Sequence, residues 1–296
     1  MIRTTFQSMT SGAQQRLMQQ SAALERSQNR LSSGKQFART SEDPARASSA
    51  LTLRSQLGSL ETYKTAGDDA TSRLNAADST LGDVVDRVQR LKELAVAAAN
   101  GTAGPGARNA IRTEVLQIRD ELVGMANTRY LGQPLFAGFS SANAVASVAG
   151  AWQFTGASSE KIIRSVSDSD AVQVNVTASE VFQAGATDAF TMLDQLAADL
   201  ASGNTTGIGA ANSAIDSLRN SVSDARTRIG AATSRVDGVM NRNQTLQVSA
   251  RNDLAQVEDI DFTEAITDVN RQQAAYQAAL GATAKSIQQS LVDWLR

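Results

Sequence analysis

Enzymes and metalloproteins usually announce themselves through histidine, cysteine or clustered carboxylates, and this chain of 296 residues contains no His and no Cys. The commonest general base and metal ligand is therefore absent. So are disulfides, thiolate nucleophiles and thiolate-bound metals. The remaining candidates are thin. Asp168-Ser169-Asp170 has the spacing of the first steps of a calcium loop, but no Gly and no bidentate Glu follow at the required distance, so it reads as a solvated turn. The stretch Gly101-Thr102-Ala103-Gly104-Pro105-Gly106 is glycine-rich, yet it follows a helical pattern and lacks Gly-Lys-Ser/Thr. It reads as a break between helices, not a phosphate cradle. Asn175-Val176-Thr177 and Asn204-Thr205-Thr206 match glycosylation sequons, a pattern frequent by chance. The expectation is a protein that is not an enzyme, with no catalytic residue, no cofactor and no metal.

Composition narrows the class further. Lys and Arg total 28 against 30 Asp and Glu, a net charge of −2, so nothing draws the chain to nucleic acid. No window approaches the 18 or more consecutive apolar residues of a membrane span, and no membrane insertion is expected. The opening Met1 to Thr10 has no apolar core of the kind a secretory signal peptide carries. Aromatic residues make up only 4%, which favours an elongated helical body filled by Ala, Leu and Val over a compact aromatic core.

The elements follow from periodicity. Leu74, Ala77, Leu81, Val84, Val88, Leu91, Ala95 and Ala98 keep a helical 3-4 spacing, and Ile111, Val115, Ile118, Leu122 and Met125 repeat it beyond the Gly-Pro-Gly break. The two predict an antiparallel helical hairpin. Upstream, Leu53, Leu57 and Leu60 predict a helix from about Ala45 to Tyr63, weakened by Gly58 and Gly67; Asp43-Pro44 supplies an N-cap followed by Pro at the first helical position. Downstream, a short helix from Phe190 to Leu200 and a Gly-rich link (Gly203, Gly207, Gly209) precede a long seam. That seam is Ile215, Leu218, Val222, Ala225, Ile229, Ala232, Val236, Val239, Leu246 and Ala250. Asn243 occupies a seam position, where it either fixes register or sits at the solvent edge. Arg87, Arg90, Lys92 and Glu93 form either a solvated, ion-paired face or inter-subunit contacts. Between the helical arms, Val172-Gln173-Val174-Asn175-Val176-Thr177 alternates as a half-buried strand does, and Trp152-Gln153-Phe154 and Lys161-Ile162-Ile163 are further extended runs.

Both ends carry apolar seams with no partner in their own segment. Leu17, Leu24 and Leu31 lie seven residues apart, and Ile266, Val269, Tyr276, Leu280, Ile287, Leu291 and Trp294 run to the end of the sequence. The fold class is mainly α with a small β-rich insert: an elongated antiparallel helical bundle formed by N- and C-terminal arms, with the terminal helices pairing as a coiled coil. Residues 1–40 with 256–296 form the terminal coiled-coil domain, 41–139 with 187–255 the helical arm, and 140–186 the small β-rich outer domain. The ten terminal seam residues are the candidate assembly interface.

Three separated stretches resemble the bacterial flagellin superfamily. They are Leu24-Glu25-Arg26-Ser27-Gln28-Asn29-Arg30-Leu31-Ser32-Ser33-Gly34-Lys35 with Ser41-Glu42-Asp43-Pro44-Ala45; Leu91 to Thr102; and Val257-Glu258-Asp259-Ile260-Asp261-Phe262-Thr263-Glu264-Ala265. Tyr130 to Gly138, which ends Phe136-Ala137-Gly138, is similar to the branch that joins the flagellar hook to the filament, though Leu131-Gly132-Gln133-Pro134-Leu135 separates Tyr130 from Phe136. The resemblance implies export through the flagellar type III apparatus and self-assembly in a ring or tubular lattice. It also implies a hook-associated protein on the hook side, flagellin on the filament side, and an export chaperone held by the C-terminal helix. A filament subunit with a short variable domain is the alternative, and a coiled-coil adhesion or signalling module a more distant one.

Overall fold

The structure, a computed structural model, describes residues 2–100, 104–156 and 160–294, with side-chain surroundings within residues 11–285. Among these it has seven helices and eight short strands. In chain order they are α1 (Ile2–Ser33), α2 (Pro44–Ala99), α3 (Pro105–Ala126), β1 (Arg129–Tyr130), β2 (Gln133–Pro134), β3 (Val145–Val148), β4 (Ala151–Phe154), β5 (Ile163–Ser165), β6 (Ala171–Gln173), α4 (Ala178–Val181), β7 (Gln183–Ala184), β8 (Thr187–Asp188), α5 (Ala189–Ser202), α6 (Thr205–Glu258) and α7 (Phe262–Trp294). They group into two compact units, Met1–Ser59 with Leu246–Arg296 and Leu60–Thr245.

The larger unit holds the arm seams. Leu74, Leu81, Val84, Val88 and Leu91 of α2, Val115 and Leu122 of α3, and Leu218, Val222 and Ala225 of α6 are all buried. The helices α2 and α6 run antiparallel, as Asp78–Arg226 and Lys92–Asp216 pair across them. The expected helix near Ala45 to Tyr63 proves to be the start of one unbroken 56-residue α2. Gly67 does not interrupt it, because the missing side chain is the space that Met240 of α6 fills. The cap at Asp43 is present: its side chain accepts from Arg46 N–H at 3.0 Å. Gly207 and Gly209 lie inside α6 and are not a link. Asn204 starts that helix by accepting from Gly207 N–H, and Gly203, at φ 74, ends α5 in the left-handed region.

The β region is four separate antiparallel hairpins. The expected strand Val172–Thr177 is cut to Ala171–Gln173, because Val174, Asn175, Val176 and Thr177 are buried on both faces and Thr177 turns into the capping box of α4. Trp152 and Phe154 of β4 lie against Phe190 of α5 at ring distances of 5.3 and 6.0 Å. Trp152 Nε1–H also donates to Asp194 at 2.8 Å.

The remaining sequence candidates resolve into scaffolding. Arg87 pairs with Glu121 at 3.1 Å and Arg90 with Glu114 at 2.7 Å, joining α2 to α3. Asn175 is buried, its amide engaged with Ile162 N–H and Glu160 C=O. Asp168 and Asp170 face Tyr63 and Arg235.

Candidate assembly surface on the terminal helices

The smaller unit is built around α1 and α7, which pack against one another. On α1 the residues turned from solvent are Ala13, Leu17, Gln20, Leu24, Ser27 and Leu31, a 4-3-4-3-4 spacing, with Gly12 and Ala23 beside them. On α7 they are Ala265, Val269, Gln272, Tyr276, Ala279 and Thr283, the same spacing, with Asp268 beside them. That is the geometry of a coiled-coil seam. Two of its layers are polar: Gln20 donates to Gln272 at 2.7 Å and the Ser27 hydroxyl to Asp268 at 2.7 Å. These bonds also fix the two helices as antiparallel. The Ser27 bond, followed by the pairing with Arg271, holds the Asp268 carboxyl below the usual carboxylate range against the opposing effect of burial.

A junction closes one end of the pair. Gly34, at φ 67, ends α1 in the left-handed region, its N–H donating to Arg30 C=O at 2.9 Å. The chain then lies antiparallel to the α6–α7 connection. Gln36 N–H donates to Glu258 C=O at 2.7 Å and Ile260 N–H to Gly34 C=O at 3.1 Å, around a Lys35–Asp259 bridge. Asp261 then caps α7 by accepting from Thr263 N–H at 2.8 Å. Glu258 is 2% exposed. It pairs with the Lys35 ammonium, and Arg54 Nη2 lies 2.8 and 2.9 Å from its two carboxylate oxygens. Burial by itself raises the Glu258 pKa; the hydrogen bond and charge of Lys35 and the charge of Arg54 outweigh it and leave it lowered.

The ten candidate interface residues divide accordingly. Leu17, Leu24, Leu31, Val269 and Tyr276 face the α1–α7 seam and are half-buried. Ile266 and Leu280 lie outside it, 49% and 42% exposed, as do Met18 and Phe262 at 63% and 57%. Ile287, Leu291 and Trp294 belong to α7, but their side chains lie outside the described residues. The described parts of the two terminal seams therefore cover each other, while Met18, Phe262, Ile266 and Leu280 stay exposed. Sequence reasoning passed over the charges that meet at the junction. The signal for them was present: Lys35 and Glu258 to Asp261 sit inside the two motifs that carried the family resemblance, and no helical periodicity accounts for them.

A buried carboxylate held by two cations, two polar seam layers and exposed apolar side chains can specify and orient an assembly surface; they contain no nucleophile–base pair. Among the described residues no cluster of His, Cys, Asp or Glu suits a metal, and no helix is long and apolar enough to cross a membrane.

The model of the bacterial flagellin N-terminal helical region matches residues 5–141, and that of the bacterial flagellin C-terminal helical region matches 212–295, together most of the chain. The flagellar hook-associated protein 3 of Escherichia coli K12 is 26% identical over 274 residues, covering 85% of this chain and 86% of that protein. Polar flagellin F of Vibrio parahaemolyticus is 31% identical over 120 residues, covering 40% of this chain and 32% of that one. Among solved structures, the flagellar hook-associated protein 3 of Legionella pneumophila superposes with a TM-score of 0.65 at 14% identity, over 70% of this chain and 98% of that one, a likeness of fold.

Proposed function

Since this chain belongs to the bacterial flagellin superfamily, whose members are structural proteins and not enzymes, we propose that it joins the flagellar hook to the filament. It assembles there with copies of itself, between a hook-associated protein on one side and flagellin on the other. The extent of the likeness supports this placing within the family. The hook-associated relative aligns through most of the chain, β region included, whereas the flagellin aligns over less than half of it.

The observation that carries the assembly mechanism is the exposure of Met18, Phe262, Ile266 and Leu280 on a helix pair already closed along its other face. An apolar stripe on a helix is stable only when something covers it. In a heterologous lattice the neighbouring subunit does so, and each side chain taken to full burial contributes roughly 1.5–3 kcal/mol. In this reading residues 1–40 with 256–296 form the assembly domain, 41–139 with 187–255 the arm, and 140–186 the outer face. Leu17, Leu24, Leu31, Val269 and Tyr276 hold the pair in shape, and Ile266, Leu280, Ile287, Leu291 and Trp294 meet neighbours. Before assembly the exposed apolar part of α7 is the handle for an export chaperone, and the subunit leaves the cytoplasm through the flagellar export channel.

Gene deletion tests the placing: it should leave hooks without filaments and release flagellin monomers into the medium. Truncation after Asn270 tests the mechanism, and should give a soluble, partly helical monomer that does not restore filaments. Normal motility in either strain would overturn the corresponding claim.

A further inference from the structure

The β5–β6 hairpin has a role that β-strand pairing does not explain. Pairing of Arg87 with Glu121 and Arg90 with Glu114 aligns α3 antiparallel to the last part of α2, and α3 ends at Ala126. At 1.5 Å per residue the five residues after Glu121 carry α3 only to about the level of residue 80 of α2. Below that level α2 lies against α6 without α3 beside it. The hairpin reaches this stretch and holds both helices.

On the α2 side, Arg164 Nε–H donates to Asp69 at 3.0 Å and the Tyr63 hydroxyl donates to Asp168. On the α6 side, Arg235 donates to Asp170 at 3.1 Å, Arg242 lies 3.8 Å from the same carboxylate, and Asn243 Nδ2–H donates to Val166 C=O at 2.7 Å. The turn is stiffened from within, since Asp170 N–H donates to the Ser167 hydroxyl at 2.9 Å and Val166 N–H to Asp170 C=O at 2.9 Å. Asn243 and Val166 are both buried. Their bond is therefore the expensive one to break, because each partner would be left without water.

We infer that the β5–β6 hairpin is a strap, with the Val166–Asp170 tip closing the α2–α6 pair over Tyr63–Asp69 and Arg235–Asn243. This gives Asn243 its purpose in an otherwise apolar seam. It also gives Asp168 and Asp170 one, as the two hands of the clasp. The strap makes the opening of this stretch a local event, separate from unfolding of the α2–α3–α6 core.

Amide hydrogen exchange on the full chain tests the inference independently of any role in the flagellum. Asn243→Ala and Asp170→Ala should each raise exchange across residues 60–70 and 235–245 by roughly tenfold or more, with residues 81–98 unchanged. The charge swap Asp170→Arg with Arg235→Asp should restore most of the protection that Asp170→Arg removes. Should Asn243→Ala fail to fold, Tyr63→Phe, which deletes one exposed bond, must still raise exchange locally. Unchanged exchange at 60–70 and 235–245 overturns the strap. A rise spread evenly over 60–245 also overturns it, since the hairpin would then merely add stability.

Discussion

The same spacing has opposite consequences in the two units. In the larger one, Leu81, Val84, Val88 and Leu91 of α2 are fully buried, because α3 and α6 both close over that face. In the smaller one, Leu17, Leu24 and Leu31 repeat at equally regular intervals and are only half-buried, because α7 alone covers them. The seams also differ in kind. The arm seam is apolar in nearly every layer, whereas the terminal seam interposes Gln20–Gln272 and Ser27–Asp268. Apolar layers supply energy without much direction; polar layers give up energy and fix which residue meets which. One unit is closed over its apolar face; the other fixes the register of α1 against α7 and, in the proposed reading, leaves apolar side chains for a partner.

The sharpest way to break this contrast is to charge the exposed apolar positions. Ile266→Asp with Leu280→Asp touches neither the α1–α7 seam nor the core, so the monomer's helical circular dichroism should stay within a few percent of the parent. Complementation of a deletion strain should nevertheless fail completely, since each lattice contact would bury an unpaired carboxylate. Filaments attached at normal frequency would mean that these positions are not the contact. Next in size is a paired truncation. Leu81→Ala leaves a cavity in a fully closed core and should cost about 2–5 kcal/mol in denaturant unfolding. Leu24→Ala should cost less, about 1–2 kcal/mol, since that side chain is only partly covered. Equal losses would show that the terminal pair is as well buried as the arm.

Much of this was legible from sequence where a single physical rule decided the outcome. The arm seams were, because their apolar period runs through whole helices, and so was the Asp43-Pro44 start of α2. Gly67 misled, because a helix-weakening residue and a notch for Met240 look identical without the neighbouring helix. Val172–Thr177 misled in the same way: alternation predicts one wet face, and here tertiary packing buries both. The exposed terminal positions were half legible. Periodicity found Ile266 and Leu280 but not Met18 or Phe262, and it assigned the first two to the same face as Val269 and Tyr276, because only the partner helix shows where one face stops. The junction of Lys35, Arg54 and Glu258 joins residues more than 200 positions apart, and no local pattern encodes such a meeting.

Acid tests the terminal unit against the apolar seam of the larger one; Asp170, whose carboxyl the hydrogen bonds of Arg235 and Ser167 also hold low, lies at the hairpin tip of the larger unit and not in that seam. Glu258 and Asp268 both have folded pKa values held below the ordinary carboxylate range, about 4. The unfolded chain therefore takes up their protons first as pH falls. Their contribution is complete above the unfolded value and disappears as pH drops through the lowered folded values. Acidification below about pH 4 should loosen residues 246–285 before the seam of the larger unit, as read by hydrogen exchange at stepped pH. Glu258→Gln should bring the terminal unit closer to its acid form at neutral pH and flatten its response. Simultaneous loosening of residues 81–98 would show that the junction does not set the acid sensitivity.

The smallest effect should come from the most visible charges. Arg90 reaches Glu114 at 2.7 Å and Glu93 at 3.0 Å, and all three side chains are between 39% and 57% exposed. Hydrogen bonds that Arg90 donates to Glu114 and then to Glu93 raise its pKa, but its proton is never in play near neutrality. Water and salt screen such a pair, and ordering three long side chains offsets most of what it gains. Arg90→Ala should leave the unfolding midpoint unchanged within error, and high salt should not distinguish it from the parent. The contrast to draw is with Glu258→Ala, which empties the buried carboxylate site that ties Lys35 and Arg54 together and should destabilise the terminal unit clearly. If the two variants prove equivalent, burial does not distinguish the junction from the surface pairs, and the division between a unit closed over its apolar face and one that fixes register loses its electrostatic half.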